Sequence, residues 1–274
     1  MLDDELKDLI LLWSTYGWFV LLPLLERMFP VRQIQLLHRG IISDVIYTYE
    51  PWVRSACYFF GLKALQSVLP GLSNGSLSIP NACPVWVHVL VIILVSEITF
   101  YAVHRLCHKN AFLWEFHRVH HSSTSYQSMM TARFHPVDNM IFTVPYIFAL
   151  QIFGINLTVV FWFGIFQAFM DRYAHSNING PRMTGYFLNT PYFHAWHHSN
   201  DPRAMNTNFG RNFVFIDHVM GSAFYPKSEN ATDFGEPSYP SSIHLQIFKP
   251  FYEIFLILRK KIISLINKHQ LNNR

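Results

Sequence analysis

The octapeptide Phe193-His-Ala-Trp-His-His-Ser-Asn200 carries three histidines at spacings of three residues and one residue. Positions i, i+3 and i+4 of a helix lie on one face, so we expect these three imidazoles to point at one place. Phe116-His-Arg-Val-His-His-Ser122 repeats the pattern upstream, and an i, i+4 pair precedes it. The members of the three histidine boxes are His104 and His108, then His117, His120 and His121, then His194, His197 and His198.

The composition around the boxes is that of a membrane protein. Of the 274 residues, 51% are hydrophobic and only 14% are charged, against roughly 25% charged in soluble domains. The formal net charge of +4 is modest, and the scattered lysines and arginines suit contacts with a membrane surface better than nucleic-acid binding. We therefore predict an all-α fold of multi-pass transmembrane helices with a cytosolic, histidine-rich helical cap. The three widely spaced cysteines indicate no disulfide framework.

Apolar runs divide the chain, which we interpret as one membrane domain over residues 1–274. N-terminal spans fill 1–84, a catalytic region fills 85–221, and a tail with an amphipathic helix fills 222–274. Spans are expected at 9–29, 45–69 and 85–103. The runs 140–153 and 156–170 predict a membrane-dipping hairpin, because the first is too short for an ordinary span. Basic residues within 243–268 predict a helix that lies on the membrane surface.

The distribution of lysine and arginine predicts the orientation in the membrane. Arg27, Arg32 and Arg39 follow the first span, whereas the stretch between Lys63 and Arg105 has no basic residue. The positive-inside rule then places the loop 70–84 on the far side and the histidine boxes on the cytoplasmic side. The chain's last four residues hold no obvious retrieval signal, which favours a bacterial inner membrane over the endoplasmic reticulum.

So many imidazoles in one region predict a metal centre. Burying them without a shared partner would leave many polar atoms unsatisfied, and neutral imidazole is a common metal ligand. Eight or nine imidazoles exceed the four ligands of a structural zinc site and suit two metal ions with open positions. Imidazole binds zinc, copper, iron and nickel alike, so the ligand type does not choose the metal. Glu-x-x-His, deaminase, zincin and dinucleotide-binding signatures are absent.

The three boxes in this order resemble the eight-histidine signature of the fatty acid hydroxylase/sterol desaturase superfamily. The surroundings that share the resemblance are Trp114–Ser122, Arg133–Pro136, Thr190–His194, Asn208–Gly210 and Asp217–Gly221. The resemblance runs from about Glu97 to Gly221. It implies an integral-membrane, non-haem di-iron enzyme that hydroxylates, desaturates or cleaves lipids with O2 and electrons from a separate donor protein. The implied iron ligands are the eight box histidines and His175.

Three further residues are expected to act as hydrogen-bond partners around the metal ligands. Glu97 is an acceptor for a ligand imidazole or a neighbouring arginine, or else a helix-end carboxylate that reaches water. Asp171 could ligate metal, orient His175 or pair with Arg172, and we favour the second role. His135 supports the site or packs a loop.

The resemblance leads to the hypothesis of an O2-dependent di-iron oxidoreductase that hydroxylates or desaturates a sterol, fatty acyl or sphingoid-type lipid. No side chain need act as general acid or base, and zinc could replace iron in preparations. Substrate would reach the site from the bilayer along Phe142–Phe169. The alternatives are an ether-lipid or carotenoid oxygenase of the same architecture, a non-enzymatic metal-binding or transport protein, and an inactive relative. Transport predicts ionisable residues spread through several spans, but the metal-type residues gather beyond the span ends.

Overall fold

The computed structural model describes residues 4–33, 38–68, 77–80 and 82–272. These residues form helices joined by turns. Among them, β-type pairing occurs only as isolated bridges. The predicted all-helical fold is therefore confirmed. The helices are α1 Asp4–Leu12, α2 Trp18–Met28, α3 Ile41–Tyr47, α4 Glu50–Val68, α5 Val85–Lys109, α6 Ala111–His121, α7 Pro136–Phe153, α8 Leu157–Ala174, α9 Pro191–His197, α10 Phe215–Val219 and α11 Ile243–Asn272.

Within the described residues, three helical segments are long and apolar enough to cross a membrane: Glu5–Met28, Val85–Lys109 and Pro136–Phe153. The first joins α1 to α2 through a π-helical turn at Trp13–Gly17. The third segment corrects the expectation that the run 140–153 is too short for an ordinary membrane span. His135 caps the N-terminus of α7 by accepting the Val137 N–H, and Pro136 opens the helix, which extends it to 18 residues.

The expected span 45–69 is divided in the structure. The α3 helix ends at Tyr47 and α4 begins at Glu50, and α4 is not one of the three apolar segments. Glu50-Pro51 and Arg54 within this stretch reduce its apolar character. The predicted far-side loop 70–84 lies largely outside the described residues, since 70–76 and 81 are not among them.

The long helix α5 organises the membrane part of the fold. It packs against α6, α7 and α8, and its buried Ile92 and Val95 share an apolar cluster with residues of α7 and α8. Its 25 residues span roughly 37 Å at the rise of an α-helix, which exceeds the roughly 30 Å hydrocarbon core of a bilayer. The last turns of α5, which carry the first histidine box, therefore extend beyond the apolar stretch of the helix.

Hydrogen bonds from buried polar residues shape the chain that follows α9. Asp217 accepts the backbone N–H groups of Phe209 and Gly210 at 2.8 and 2.7 Å. Asn208 adopts a left-handed φ of 57° and donates to the carbonyls of Phe193 and Phe224, at 2.8 Å each. These contacts fix the loop that begins at residue 207 against α9, the helix of the third histidine box.

The C-terminal helix α11 packs on α6 near its start, where the Phe251 and Phe116 rings lie 5.3 Å apart. Farther along, it exposes Phe255, Ile262 and Leu265 together with Lys260 and Lys261. The predicted helix over 243–268 is confirmed, and its mixed apolar and basic surface retains the character expected of a helix at a membrane surface.

Candidate metal centre

The nine histidines that the sequence nominates as ligands come together in two clusters. Within each cluster, one potential ligand atom per residue lies within 4.8 Å of all the others. The five-histidine cluster contains His104, His108, His117, His121 and His197. The four-histidine cluster contains His120, His175, His194 and His198. Seven of the nine are buried and the other two, His108 and His121, are half-buried.

The two larger boxes each divide their histidines between the clusters, which corrects the expectation that one box points at one place. His117 and His121 join the five-histidine cluster, whereas His120 joins the other. The third box does the reverse, since His194 and His198 belong to the four-histidine cluster. An α-helix turns about 100° per residue, so i+3 and i+4 lie about 60° and 40° to opposite sides of position i. The i, i+4 pair therefore serves one cluster and the i+3 residue faces the other.

Backbone carbonyls orient three of the rings. The Nδ1 atom of His104 donates to the carbonyl of Phe209 at 3.0 Å, and that of His197 donates to Thr207 at 2.8 Å. His175 donates to the carbonyl of Asp171 at 2.6 Å. Because a carbonyl only accepts, Nδ1 must carry the proton, which leaves the Nε2 lone pair of each ring free to bind a metal.

The Nε2 atoms themselves fit metal ligation. In the five-histidine cluster, those of His104, His108 and His117 are buried without a hydrogen-bond partner. In the four-histidine cluster, the Nε2 atom of His175 lies 3.0 Å from those of His120 and His194. A lone pair that is buried without a donor is costly, and a metal ion would satisfy several at once.

The rings also have the protonation state that ligation requires. Burial lowers the pKa of His197 to about 3 and that of His175 to about 4. It also holds the pKa values of His194 and His198 well below their ordinary range. These imidazoles are therefore neutral at physiological pH, and neutral imidazole is the form that binds metal ions.

Asp138 is a site residue that sequence reasoning missed. Its side chain is fully buried, and its Oδ2 accepts a hydrogen bond from the Nδ1 atom of His117 at 3.0 Å. This carboxylate–imidazole contact fixes the tautomer of His117 and increases the basicity of its Nε2. The signal was present as an acidic residue in the first turn of an apolar helix, three residues after His135.

Substitution of Asp138 by asparagine is expected to weaken metal binding by about 10- to 100-fold, the usual effect of removing an outer hydrogen-bond partner. The asparagine side chain has nearly the same shape but removes the negative charge beside His117. Metal affinity can be measured by chelator competition on purified protein. Asp233→Asn, at an exposed aspartate outside both clusters, is the control. An affinity equal to that of the wild type would contradict the role given to Asp138.

Asp171 orients His175, but through its main chain rather than its side chain. The carboxylate instead forms a two-pronged ion pair with Arg211, at 3.0 Å to Nε and 2.8 Å to Nη2. Arg211 was not predicted as a site residue. The pairing corrects the favoured expectation of a carboxylate–imidazole contact. His175 meets the main chain of Asp171 instead, because in a helix the carbonyl of residue i faces residue i+4 across one turn.

Glu97 and His135 also support the site differently from expectation. Glu97 is fully buried and accepts hydrogen bonds from the backbone N–H groups of residues 211–213 and from the side chain of Asn212. It therefore holds a loop rather than an imidazole or water. His135 donates through Nε2 to the carbonyl of Ile247 at 3.0 Å, which ties α7 to α11, and it is not a member of either cluster.

A cavity of about 270 Å³ lies beside the clusters between α5, α7 and α8. Five of the nine histidines line it: His104, His117, His120, His175 and His194. Phe100, Phe142 and Ile147 contribute apolar walls, and the polar lining includes Arg54, Tyr58, Asp171 and Arg211. The arrangement can place part of a second molecule directly beside both histidine clusters.

Comparisons with known proteins agree with this geometry. The profile of the fatty acid hydroxylase family matches residues 89–222. The ornithine lipid hydroxylase OlsE of Rhizobium tropici is 29% identical over 84% of this chain and 72% of its own length. A putative Delta(7)-sterol-C5(6)-desaturase 2 of Arabidopsis thaliana is 26% identical over 80% of this chain and 76% of its own length.

An alkylglycerol monooxygenase of Caenorhabditis elegans is 23% identical over 80% of this chain but only 43% of its own length. No solved structure matches. The relatives are membrane-lipid hydroxylases, oxygenases and desaturases, and the matched region contains all nine histidines. The profile match and these relatives fit the fatty acid hydroxylase/sterol desaturase superfamily and support an oxidoreductase.

Proposed function

We propose that this protein hydroxylates or desaturates a membrane lipid with O2, at a centre of two iron ions held by the two histidine clusters. The observation that carries the proposal is the shared cavity. Five histidines drawn from both clusters line it, so a carbon atom placed beside them would lie next to both proposed metal positions. The names of the relatives, an ornithine lipid hydroxylase, an alkylglycerol monooxygenase and a putative sterol desaturase, support the reaction class.

The iron ions would supply the oxidising chemistry on O2, which no side chain of this chain can perform. The protein's own residues would hold the iron ions and position the lipid. The histidines provide neutral nitrogen ligands, while Asp138 and the carbonyls of Phe209, Thr207 and Asp171 keep the rings in the ligating tautomer. The apolar walls at Phe100, Phe142 and Ile147 exclude water and hold the reacting part of the lipid.

The proposal includes the cellular location of the site and the source of its electrons. The first box lies at the end of α5 that carries Arg105 and Lys109, and the other two boxes come after it; the positive-inside rule assigns this end to the cytoplasm. Electrons would then come from a separate protein on that side. A bacterial inner membrane is the proposed compartment, a choice that the bacterial source of OlsE supports.

The deciding experiment measures the metal content per chain and the O2-dependent conversion of lipid. Protein purified without oxygen or added metal should contain close to two irons per chain. With a chemical reductant and O2, it should convert lipid in extracts of its host to products that are heavier by one oxygen atom or lighter by two hydrogens, as seen by mass spectrometry. Zinc-loaded protein is the matched control and should be inert. Two irons without any O2-dependent lipid product would refute the proposed reaction.

A further inference from the structure

Two buried amide side chains in the lining of the cavity each have an atom without a hydrogen-bond partner. Asn139 and Asn189 both line the cavity, and each residue is only 2% exposed. Within the described residues, the Nδ2 atom of Asn139 has no acceptor and the Oδ1 atom of Asn189 has no donor. Most buried polar atoms are paired, so these two need an explanation.

Asn139 lies on a helix where an unpaired amide is costly. It belongs to α7, which is one of the segments that are apolar enough to cross a membrane. Neither hydrocarbon nor the apolar side chains of Phe142 and Ile147, which line the same cavity, can accept a hydrogen bond. The packing of α7 alone therefore does not account for an asparagine at this position.

The other amide atom of Asn189 fixes the orientation of its side chain. The Nδ2 atom donates to the carbonyls of Gly210 and Arg211, at 2.9 and 3.0 Å. A carbonyl only accepts, so the nitrogen must be the atom that faces these two groups. The Oδ1 atom consequently remains a buried acceptor. The cavity lining thus contains one unpaired amide donor and one unpaired amide acceptor.

Each of the two amides adjoins a different histidine cluster. Asn139 follows Asp138, whose carboxylate accepts a hydrogen bond from His117 of the five-histidine cluster. The Nδ2 atom of Asn189 lies 3.3 Å from the Nδ1 atom of His194, which belongs to the four-histidine cluster. A ligand group bound by these amides would therefore lie near the histidines, together with the carbon atoms attached to it.

The charged side chains of the lining already have partners. Asp171 accepts hydrogen bonds from Arg211 on both carboxylate oxygens, and it also pairs with Arg54 at 3.7 Å. Arg172 donates to the carbonyl of Ala168 at 2.8 Å. The unpaired amide atoms are neutral, so a neutral ligand group matches them without disturbing these ion pairs.

The two amides discriminate between lipids that bring hydrogen bonds and lipids that do not. Water would pair with both atoms in a lipid-free cavity, because about 270 Å³ exceeds the roughly 30 Å³ that one water molecule occupies. A plain hydrocarbon segment that displaced this water would leave a donor and an acceptor unpaired. Each such loss weakens binding by about tenfold or more, so the cavity disfavours a segment without polar atoms.

We infer that Asn139 and Asn189 bind a neutral group of the lipid substrate that both donates and accepts hydrogen bonds, a hydroxyl or an amide. The oxidised carbon lies close to this group, because the amides adjoin the histidines. The inference rests on the proposed lipid-oxidising function and names the substrate class as lipids with such a group next to the reacting carbon.

A binding experiment tests the inference without turnover. Three probes of equal chain length are added to purified protein in neutral detergent: tetradecane, tridecan-1-ol and N-methyldodecanamide. Native mass spectrometry measures their affinities, which are expressed per mole fraction of probe in the detergent so that partition into micelles cancels. Wild-type protein should bind the alcohol or the amide about tenfold more tightly than the alkane. The probe that binds more tightly identifies the recognised group.

Variants of α7 assign the preference to Asn139. Asn139→Leu keeps nearly the same size, and it should lose the preference while binding tetradecane at least as tightly as the wild type, because an apolar pair leaves nothing unsatisfied. Asn139→Ala is a second apolar variant with the same expected loss. Asn267→Leu, at an exposed asparagine of α11 outside the cavity lining, is the matched control and should behave like the wild type.

Two results would overturn the inference. Equal affinities of the wild type for all three probes would mean that the amides bind water only. A preference that persisted in both Asn139 variants would assign the recognition to other residues. Metal content should be the same in all four proteins, which separates loss of the preference from loss of the metal centre.

Turnover separates this inference from the proposed function on which it rests. Asn139→Leu should raise KM for the preferred polar probe by about tenfold. A protein that prefers a polar probe through Asn139 but oxidises no lipid would retain this site and refute the oxygenase. A protein that oxidises tetradecane as readily as the polar probes, or that oxidises them far from the polar group, would retain the oxygenase and refute this site.

Discussion

Alanine at His197 is expected to remove one metal ion per chain and to lower turnover by more than about 100-fold. Loss of an outer hydrogen-bond partner alone is worth about 10- to 100-fold, and His197 is itself a proposed ligand. Its Nε2 atom lies 3.1 Å from that of His121 in the five-histidine cluster, and Thr207 holds the other ring nitrogen. Four histidines would remain in that cluster, and the four-histidine cluster would keep its full donor set.

The adjacent residue provides a comparison from the opposite cluster. His198→Ala reduces the four-histidine cluster to three members, so it should lose the ion of that cluster and keep the ion of the five-histidine cluster. His244→Ala, on an exposed histidine of α11, is the control and should keep both ions. The measurement is metal per chain by elemental analysis across a chelator titration. If either cluster variant kept the wild-type count of tightly bound metal, the assignment of ligands to that cluster would be wrong.

Alanine at Glu97 is expected to lower the free energy of unfolding by about 3 kcal/mol, within the range for breaking a buried polar network. The carboxylate accepts hydrogen bonds from three successive backbone N–H groups and one side chain. Its removal leaves these buried donors without an acceptor. The released loop adjoins Phe209, whose carbonyl orients His104, so metal affinity should fall together with stability.

Two further variants make the Glu97 prediction specific. Glu97→Gln keeps one acceptor oxygen and should lose only part of the stability that alanine loses. Glu229→Ala removes a half-exposed carboxylate paired with Arg203, and such surface pairs contribute 0 to about 1 kcal/mol. The measurement is thermal unfolding in detergent by circular dichroism, with and without bound metal. A Glu97→Ala protein as stable as Glu229→Ala would show that the 211–213 loop does not depend on this carboxylate.

The sequence alone predicted the fold class and nominated the nine histidines that the structure places in two clusters. Both predictions depend on local patterns that survive folding. Apolar runs give helices, and the spacing of three residues and one residue keeps histidines on adjoining helix faces. The same spacing did not reveal that His120 and His197 each cross to the other cluster. The angular offset of the i+3 residue becomes a division between two clusters only where other segments supply ligands on both sides, which no single box encodes.

The partners of the ligands were harder to predict, because they are distant in the chain or belong to the backbone. Glu97 meets residues 211–213 across more than 110 positions, and His104 meets a main-chain carbonyl 105 positions away. Sequence chemistry marks Glu97 as unusual but does not say what it touches. Asp171 shows the same limit, since its backbone holds His175 while its side chain holds Arg211.

Each of the two larger boxes contributes histidines to both clusters, and this division has a consequence for the biogenesis of the protein. A chain that emerges from the ribosome presents His104 to His121 first, yet neither cluster is complete until the third box has been synthesised, because His197 and His198 belong to different clusters. A nascent chain shorter than 198 residues therefore carries partial sets of nitrogen donors that any available divalent ion could occupy. Correct loading of the proposed centre would therefore follow the synthesis of the third box.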